Sequence, residues 1–126
     1  MDVQQVESSL EGGAHGLSNL MQQQPTPTAI ICANDGLAAG ALLRARELGI
    51  AVPEQLSITG FDDIALARAV TPALTTVRVP QMEMGVAAAE LLLAQLDTGV
   101  PRQQLQSVEL DTEIILRDSL GPVYSD

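Results

Sequence analysis

Aromatic residues and the side chains that most often carry catalysis are scarce in this sequence. Its 126 residues include two aromatic side chains, Phe61 and Tyr124, one histidine, His15, and one cysteine, Cys32. A single cysteine excludes an intrachain disulfide and favours a reducing compartment. A metal cluster or a Cys–His dyad would need widely separated residues to converge. We therefore predict no metal site and no cofactor.

Positive charge and long apolar runs are scarce as well. Six basic residues stand against 16 acidic ones, so the formal net charge is −10. A chain this acidic is poorly suited to binding DNA or an anionic membrane surface by itself. No apolar run reaches the roughly 18 residues needed to span a bilayer, and the first residues lack the pattern of a signal peptide. These absences predict a cytoplasmic protein with no membrane partner.

The sequence does contain alternating apolar runs, and 46% of its residues are hydrophobic. Residues 28–32 and 56–61 have the pattern of strands covered on both faces. Residues 35–48 between them predict a helix, with Asn34 as its N-cap and Gly49 at its end. Strand, helix and strand over about 34 residues predict a βαβ unit with parallel strands.

The remaining segments complete an α/β fold with an open, mostly parallel sheet and flanking helices. We predict a short strand or its end at 3–6, helices at 11–23, 63–70 and 81–97, an extended segment at 71–80, one or two strands within 106–116, and a loose tail at 117–126. No internal repeat interrupts this order.

Polar residues follow both strands of the predicted βαβ unit. Asn34 follows the first strand, and Asp62 and Asp63 follow the second. The carboxyl ends of parallel strands lie at one sheet edge, where open α/β sheets bind ligands. An amide and a carboxylate there suit a small molecule with hydroxyl or amine groups. The alternative is helix capping, by Asn34 for 35–48 and by Asp62 or Asp63 for 63–70; one residue can serve both roles.

Over about residues 25–120 the chain resembles the LacI/GalR family of bacterial transcription factors. The motifs PTAI…CAND, GALLRARELGIAVPE, SITGFDDIALA and TPALTTVR occur in the family's order and spacing. The resemblance implies two α/β lobes like those of periplasmic sugar-binding proteins, with an effector between them, and a DNA-binding headpiece. It assigns about 1–79 to the second lobe, about 80–116 to a segment that returns to the first lobe, and 117–126 to a tail.

The resemblance also implies roles for individual residues. Asn34 and Asp62 match positions that hydrogen-bond the effector, and Asp63 is a further ligand-binding candidate. Ser8 stands where several family members have an aromatic residue that stacks on the ligand. The implied partners are a sugar or related metabolite and, through a headpiece with no counterpart here, operator DNA. The implied protein is not an enzyme.

Two other classes of protein remain as alternatives. A solute-binding component of an importer shares the two-lobe fold, although the TPALTTVR segment after GFDDI favours a repressor. An α/β enzyme is the other alternative, but the sequence has no nucleophile–base pair.

Two predicted helices suggest that the chain associates with other surfaces. In helix 35–48, Ala39 and Leu43 fall outside the apolar arc expected to cover the sheet, so they belong either to scattered surface apolarity or to a dimer interface. Helix 81–97 is apolar on nearly every side and needs cover on more than one face. The family's other lobe or a second copy of the chain would supply that cover, and we predict a homodimer.

Overall fold

The structure, a computed structural model, describes residues 2–98 and 107–122. The helices and strands follow one another as α1 (Leu10–Leu20), β1 (Ala29–Ile31), α2 (Asp35–Glu47), β2 (Ser57–Thr59), α3 (Ala65–Ala69), β3 (Thr76–Arg78), α4 (Gln81–Thr98) and β4 (Glu113–Ile115). The chain divides into two compact units. Met1–Arg78 and Ile114–Asp126 form one, and Val79–Glu113 forms the other.

The β1–α2–β2 segment is the parallel βαβ unit that the sequence predicts. β1 and β2 pair in parallel, with Ile30 opposite Ile58. The pairing continues beyond β1, because the Cys32 N–H donates to the Thr59 carbonyl at 2.8 Å. A parallel bridge between Thr59 and Thr75 extends the sheet to the segment that leads into β3. The prediction of an α/β fold with parallel strands is therefore confirmed.

The core of the first unit lies between α2 and the sheet. Burying apolar area contributes roughly 25 cal/mol per Å², and one cluster of buried apolar residues forms this core. Its buried members are Leu17, Ile30, Ala38, Ala41, Leu42, Ala45, Leu56, Ile58, Ala67 and Leu74.

Glycines allow α1 to pack closely on α2. A Cβ on Gly13 would overlap the Leu37 carbonyl, and a Cβ on Gly40 would overlap the Leu10 carbonyl. The backbones of the two helices therefore approach at distances that only glycine permits. α1 itself begins after Ser9, whose hydroxyl accepts a hydrogen bond from the Gly12 N–H at 3.0 Å. The strand predicted at 3–6 is wrong, since those residues have no strand partner.

The C-terminal segment is packed, so the prediction of a loose tail is wrong for 117–122. Ser119 is fully buried. Its hydroxyl donates to the Ile58 carbonyl at 2.6 Å and accepts from the Thr75 N–H at 2.9 Å. Its carbonyl accepts from the Ile58 N–H at 2.9 Å. This small side chain satisfies polar backbone groups that burial would otherwise leave unpaired; residues 123–126 of the predicted tail lie outside the described part of the chain.

The second unit consists mainly of α4. Its 18 residues follow the predicted helix 81–97 to within one residue. Many of its large apolar side chains are exposed, namely Met82, Met84, Val86, Leu92, Leu93 and Leu96. Within 2–98 and 107–122, none of the helices combines the length and the apolar character required to cross a bilayer. β3 pairs with β4, of which residues 114 and 115 belong to the first unit, to make a second two-stranded sheet.

Candidate functional site

The backbone segments that follow β1 and β2 run side by side at the carboxyl edge of the sheet. The Asp35 N–H donates to the Phe61 carbonyl at 2.9 Å. Asn34 and Asp62 are the adjacent residues of these two segments, so the bond brings their backbones together. This edge is where open α/β sheets bind ligands.

The side chain of Asn34 has a fixed orientation. Its Oδ1 accepts from the Leu37 N–H at 2.8 Å, which makes Asn34 the N-cap of α2 as predicted. Because a backbone N–H can only donate, the oxygen must face the helix and Nδ2 must face away. Nδ2 donates to Ser8 Oγ at 2.8 Å. One hydrogen of Nδ2 has no acceptor in the part of the chain that the structure describes, and it is available to a ligand oxygen.

Asp62 lies in a turn whose backbone is unusual for an L-amino acid. Its φ angle is 106° and that of Asp63 is 53°. Non-glycine residues rarely adopt such angles, and those that do cluster at functional sites. The Asp62 N–H donates to the Val77 carbonyl at 2.8 Å. Across 2–98 and 107–122 none of the hydrogen bonds or ion pairs engages the Asp62 carboxylate, so both of its oxygens are open to a donor.

The Asp63 carboxylate, in contrast, is surrounded by three arginines. Its side chain is 1% exposed. Arg117 donates to Oδ1, while Arg78 at 2.8 Å and Arg68 at 3.3 Å donate to Oδ2. Burial by itself raises the pKa of this carboxyl group, but the hydrogen bonds from Arg117 and Arg78 outweigh it and lower the pKa to about 2. Of the two predicted aspartates, Asp63 is therefore the one whose carboxylate is already engaged within the chain.

The capping alternative fails for the two aspartates. The N-cap position of α3 is Ile64, and no side chain there accepts a hydrogen bond from the helix. Neither Asp62 nor Asp63 therefore caps a helix. Helix capping therefore does not explain why two aspartates follow β2.

Sequence reasoning missed Asp35, which is fully buried next to Asn34. Its Oδ1 accepts from the Thr76 hydroxyl at 2.5 Å, and its Oδ2 accepts from the Ile64 N–H at 2.9 Å. The only sequence signal was its place after the cap residue, where an acidic side chain also favours the helix N-terminus.

The two residues predicted for a dimer interface differ in exposure. Leu43 is 51% exposed, but Ala39 is 1% exposed. α2 packs against α1, α3 and β2, so more of its surface is covered than one apolar arc. The expectation that Ala39 lies on an outer face is therefore wrong, and the interface prediction now depends on Leu43.

A groove of about 720 Å³ reaches Ala33, just beyond the end of β1, but is not lined by the polar strand-end residues. It runs along α1 and the unpaired side of β1, and its lining includes Leu17, Leu20, Ile30 and Ile31 but neither Asn34 nor Asp62. Its lining is mostly apolar, whereas the edge at Asn34 and Asp62 offers directed donors and acceptors. The strand-end edge is therefore the better candidate for recognising a polar ligand.

The sequence and fold match known proteins over most of the chain. A model of the periplasmic binding protein-like domain matches residues 2–120. The chain belongs to this family. It is 37% identical to the ribose operon repressor of Haemophilus influenzae over 110 residues. This match covers 87% of the chain and 32% of the relative. The chain thus spans about one third of the length of this relative.

Solved structures of transcriptional regulators have a similar fold over most of this chain. The transcription regulator GntR from Chromobacterium violaceum matches with a TM-score of 0.76 and 43% identity, over 90% of this chain and 41% of that one. A LacI-family regulator from Enterococcus faecium, solved with bound ribose, matches with a TM-score of 0.80 and 29% identity, over 94% of this chain and 43% of the other.

Proposed function

We propose that this chain is the effector-sensing part of a LacI-type transcriptional repressor and has no catalytic role. The observation that carries the proposal is the pair of strand-end groups: the Asn34 amide, held with one N–H unengaged, and the Asp62 carboxylate, unengaged on a strained turn. A donor and an acceptor on adjacent backbone segments can hold a small polar molecule without reacting with it. The relative named as a ribose operon repressor supports the same role.

The effector we propose is a sugar or a related metabolite. A hydroxyl group both donates and accepts, so neighbouring hydroxyls can accept from Asn34 and donate to Asp62. Ser8 adds a hydroxyl beside Asn34. A short polar residue at this position favours hydrogen bonding over aromatic stacking. The Enterococcus faecium regulator with bound ribose is an example of such a ligand in a related fold.

The remaining functions of a repressor belong, in this proposal, to the whole protein. Operator binding is assigned to a headpiece, since the acidic chain is unsuited to contact DNA by itself. The exposed apolar side chains of α4 are assigned to contact with the other lobe or with a second copy of the chain. The whole protein would act in the cytoplasm as a homodimer, and effector binding would change how its headpieces meet the operator.

A solute-binding component of an importer is the second candidate. It would use the same lobe fold and the same strand-end groups. The relatives reported above are transcriptional regulators, which favours the repressor.

Calorimetric titration of the full-length protein tests the site. We expect at least one member of a panel of pentoses, hexoses and their acids, beginning with D-ribose, to bind the wild type. Asp62→Ala should then weaken binding by about 1–3 kcal/mol, because the ligand's donor loses its partner in a desolvated site. This cost is about 5- to 150-fold in Kd.

Asp118→Ala is the matched control, because Asp118 is an exposed aspartate of the same unit. Its affinity should equal that of the wild type. Equal losses in both variants, or an unchanged affinity in Asp62→Ala, would contradict the assignment. If no compound of the panel binds, the sugar class is wrong.

A further inference from the structure

Asp35 has a carboxyl group that is fully buried, so it cannot contact a ligand directly. Burying such a group is costly unless hydrogen bonds replace the water it loses. Both of its oxygens have a donor, from Thr76 and from Ile64. Its position directly after Asn34 connects this buried group to the candidate effector site.

The hydrogen bonds of Asp35 converge on the turn that carries Asp62. Its N–H donates to the carbonyl of Phe61, the residue before Asp62. Its Oδ2 accepts from the N–H of Ile64, two residues after Asp62. One residue thus holds both ends of the four-residue turn 61–64, whose two central residues have positive φ.

The third bond of Asp35 fixes the turn from the side of β3. Thr76 donates its hydroxyl to Asp35 Oδ1 at 2.5 Å. The carbonyl of the next residue, Val77, accepts from the Asp62 N–H. Asp35 therefore ties the start of α2, the turn and β3 to one another.

Gly60 supplies independent support for a close fit. A Cβ at this position would overlap Asp35 Oδ1 and approach the Leu74 side chain. The chain entering the turn therefore lies directly against the carboxyl group. Close approach of this kind requires glycine.

From these contacts we infer that Asp35 is a positioning residue that sets the place of the Asp62 carboxylate relative to the Asn34 amide. Asn34 and Asp35 are consecutive, so a rigid helix start carries the first group and clamps the turn that carries the second. Asp35 acts on effector recognition through Asp62, without touching the effector. The inference rests on the proposed function only for what the positioned groups bind.

Hydrogen–deuterium exchange of the full-length protein tests the positioning directly. Asp35→Ala removes both acceptors, and we expect exchange in the peptide covering residues 60–66 to accelerate at least about tenfold. Asp35→Asn should restore slow exchange, since its oxygen can accept from Ile64 while its amino group donates to Thr76 Oγ. Thr76→Val loses one of the two hydrogen bonds to the Asp35 carboxylate and should give an intermediate exchange rate. It replaces Asp35→Ala in the test if that variant does not fold.

Leu17→Ala separates positioning from general stability, because Leu17 is a buried core residue on α1, away from the turn. It should accelerate exchange broadly through the first unit. Asp35→Ala should accelerate exchange in 60–66 beyond that shared change. Equal acceleration in both variants, or no acceleration of 60–66 in Asp35→Ala and Thr76→Val, would overturn the inference.

A titration with D-ribose distinguishes this inference from the proposed function. If the wild type binds D-ribose, Asp35→Ala should weaken binding more than Leu17→Ala does, and Asp35→Asn should recover most of the loss. Equal affinities in Asp35→Ala and Leu17→Ala would overturn the positioning role. Failure of the wild type to bind D-ribose counts against ribose as the effector, and the exchange rates then decide the role of Asp35.

Discussion

Asp62 and Asp63 are consecutive aspartates with opposite surroundings. The Asp62 carboxylate is unengaged among the described residues, whereas Asp63 binds Arg68, Arg78 and Arg117. Asp63 anchors the turn to α3, β3 and the C-terminal segment, whereas Asp62 has the open carboxylate that we propose as a ligand contact. Asp63 thus holds the turn in place, and the Asp62 carboxylate stays open.

The surroundings of Asp63 predict acid sensitivity at one residue. Its pKa is lowered from 3.8 to about 2, so the folded state holds the ionised form more strongly than the unfolded state does. This stabilisation is fully present above about pH 4 and is lost as pH falls toward 2. It amounts to at most about 2 kcal/mol, and solvent screening reduces it because Arg68 and Arg78 are 64% and 45% exposed.

Urea unfolding of the wild type and Asp63→Asn between pH 6 and pH 2 measures the effect. The wild type should be more stable near pH 6, and its advantage should shrink below pH 4. An advantage that stays constant over this range would show that the ionised carboxylate is not the source.

The sequence predicted that Asn34 and Asp62 would lie at one sheet edge, because both follow apolar runs expected to be neighbouring strands, and the structure brings their backbone segments together. The strand-end pattern alone could not separate Asp62 from Asp63, and only the family resemblance ranked Asp62 first. The arginines that bind Asp63 lie 5, 15 and 54 residues away along the chain. Asp35 was missed because its partners, Ile64 and Thr76, are brought to it only by the tertiary fold. Helix caps and strand ends can be predicted from neighbouring residues in the sequence. Side-chain contacts between distant segments, such as those of Asp35 and Asp63, depend on the tertiary packing.

At the level of elements, α1 and α2 pack through glycines that local propensity counts as weak helix formers. The predicted bounds of α2 and α4 agree with the structure to within one residue because their apolar patterns are long. The purpose of Gly13 and Gly40 could not be read from either helix alone. Each glycine meets a carbonyl of the partner helix.

Gly40→Ala should therefore destabilise the protein although alanine favours helices. A Cβ there would overlap the Leu10 carbonyl, and overpacking of this kind costs about 1–3 kcal/mol. Gly85→Ala in α4 is the control, since nothing lies within 4 Å of its added Cβ. It should stabilise its helix by up to about 1 kcal/mol. Thermal unfolding compares the two, and a stabilised Gly40→Ala would contradict the close packing.

At the level of the whole molecule, α4 is the helix that exposes the most large apolar side chains among the described residues. α4 presents Met82, Leu92 and Leu96 to solvent, and large contiguous apolar patches generally mark an interaction surface. The fold class was predictable at this scale because strand and helix patterns alternate. The packing of 117–122 was not, since a short polar segment carries no apolar pattern to reveal its burial.

Residues 1–126 produced alone should form dimers or larger assemblies. A second copy is the available cover for the apolar side chains of α4. Multi-angle light scattering at micromolar concentration should give at least twice the chain mass, and Leu92→Glu should lower it. Leu43→Glu tests the alternative face on α2. A well-folded wild-type monomer would contradict the prediction.

The burial of Ser119 affects when the first unit can finish folding during synthesis. Its hydroxyl pairs with groups 61 and 44 residues earlier, at Ile58 and Thr75. A ribosome therefore finishes the residues of the second unit before it releases the segment that closes the first. Until Ser119 is available, Ile58 and Thr75 lack their hydrogen-bond partner. The first unit can therefore complete its packing only after the residues of the second unit have been synthesised.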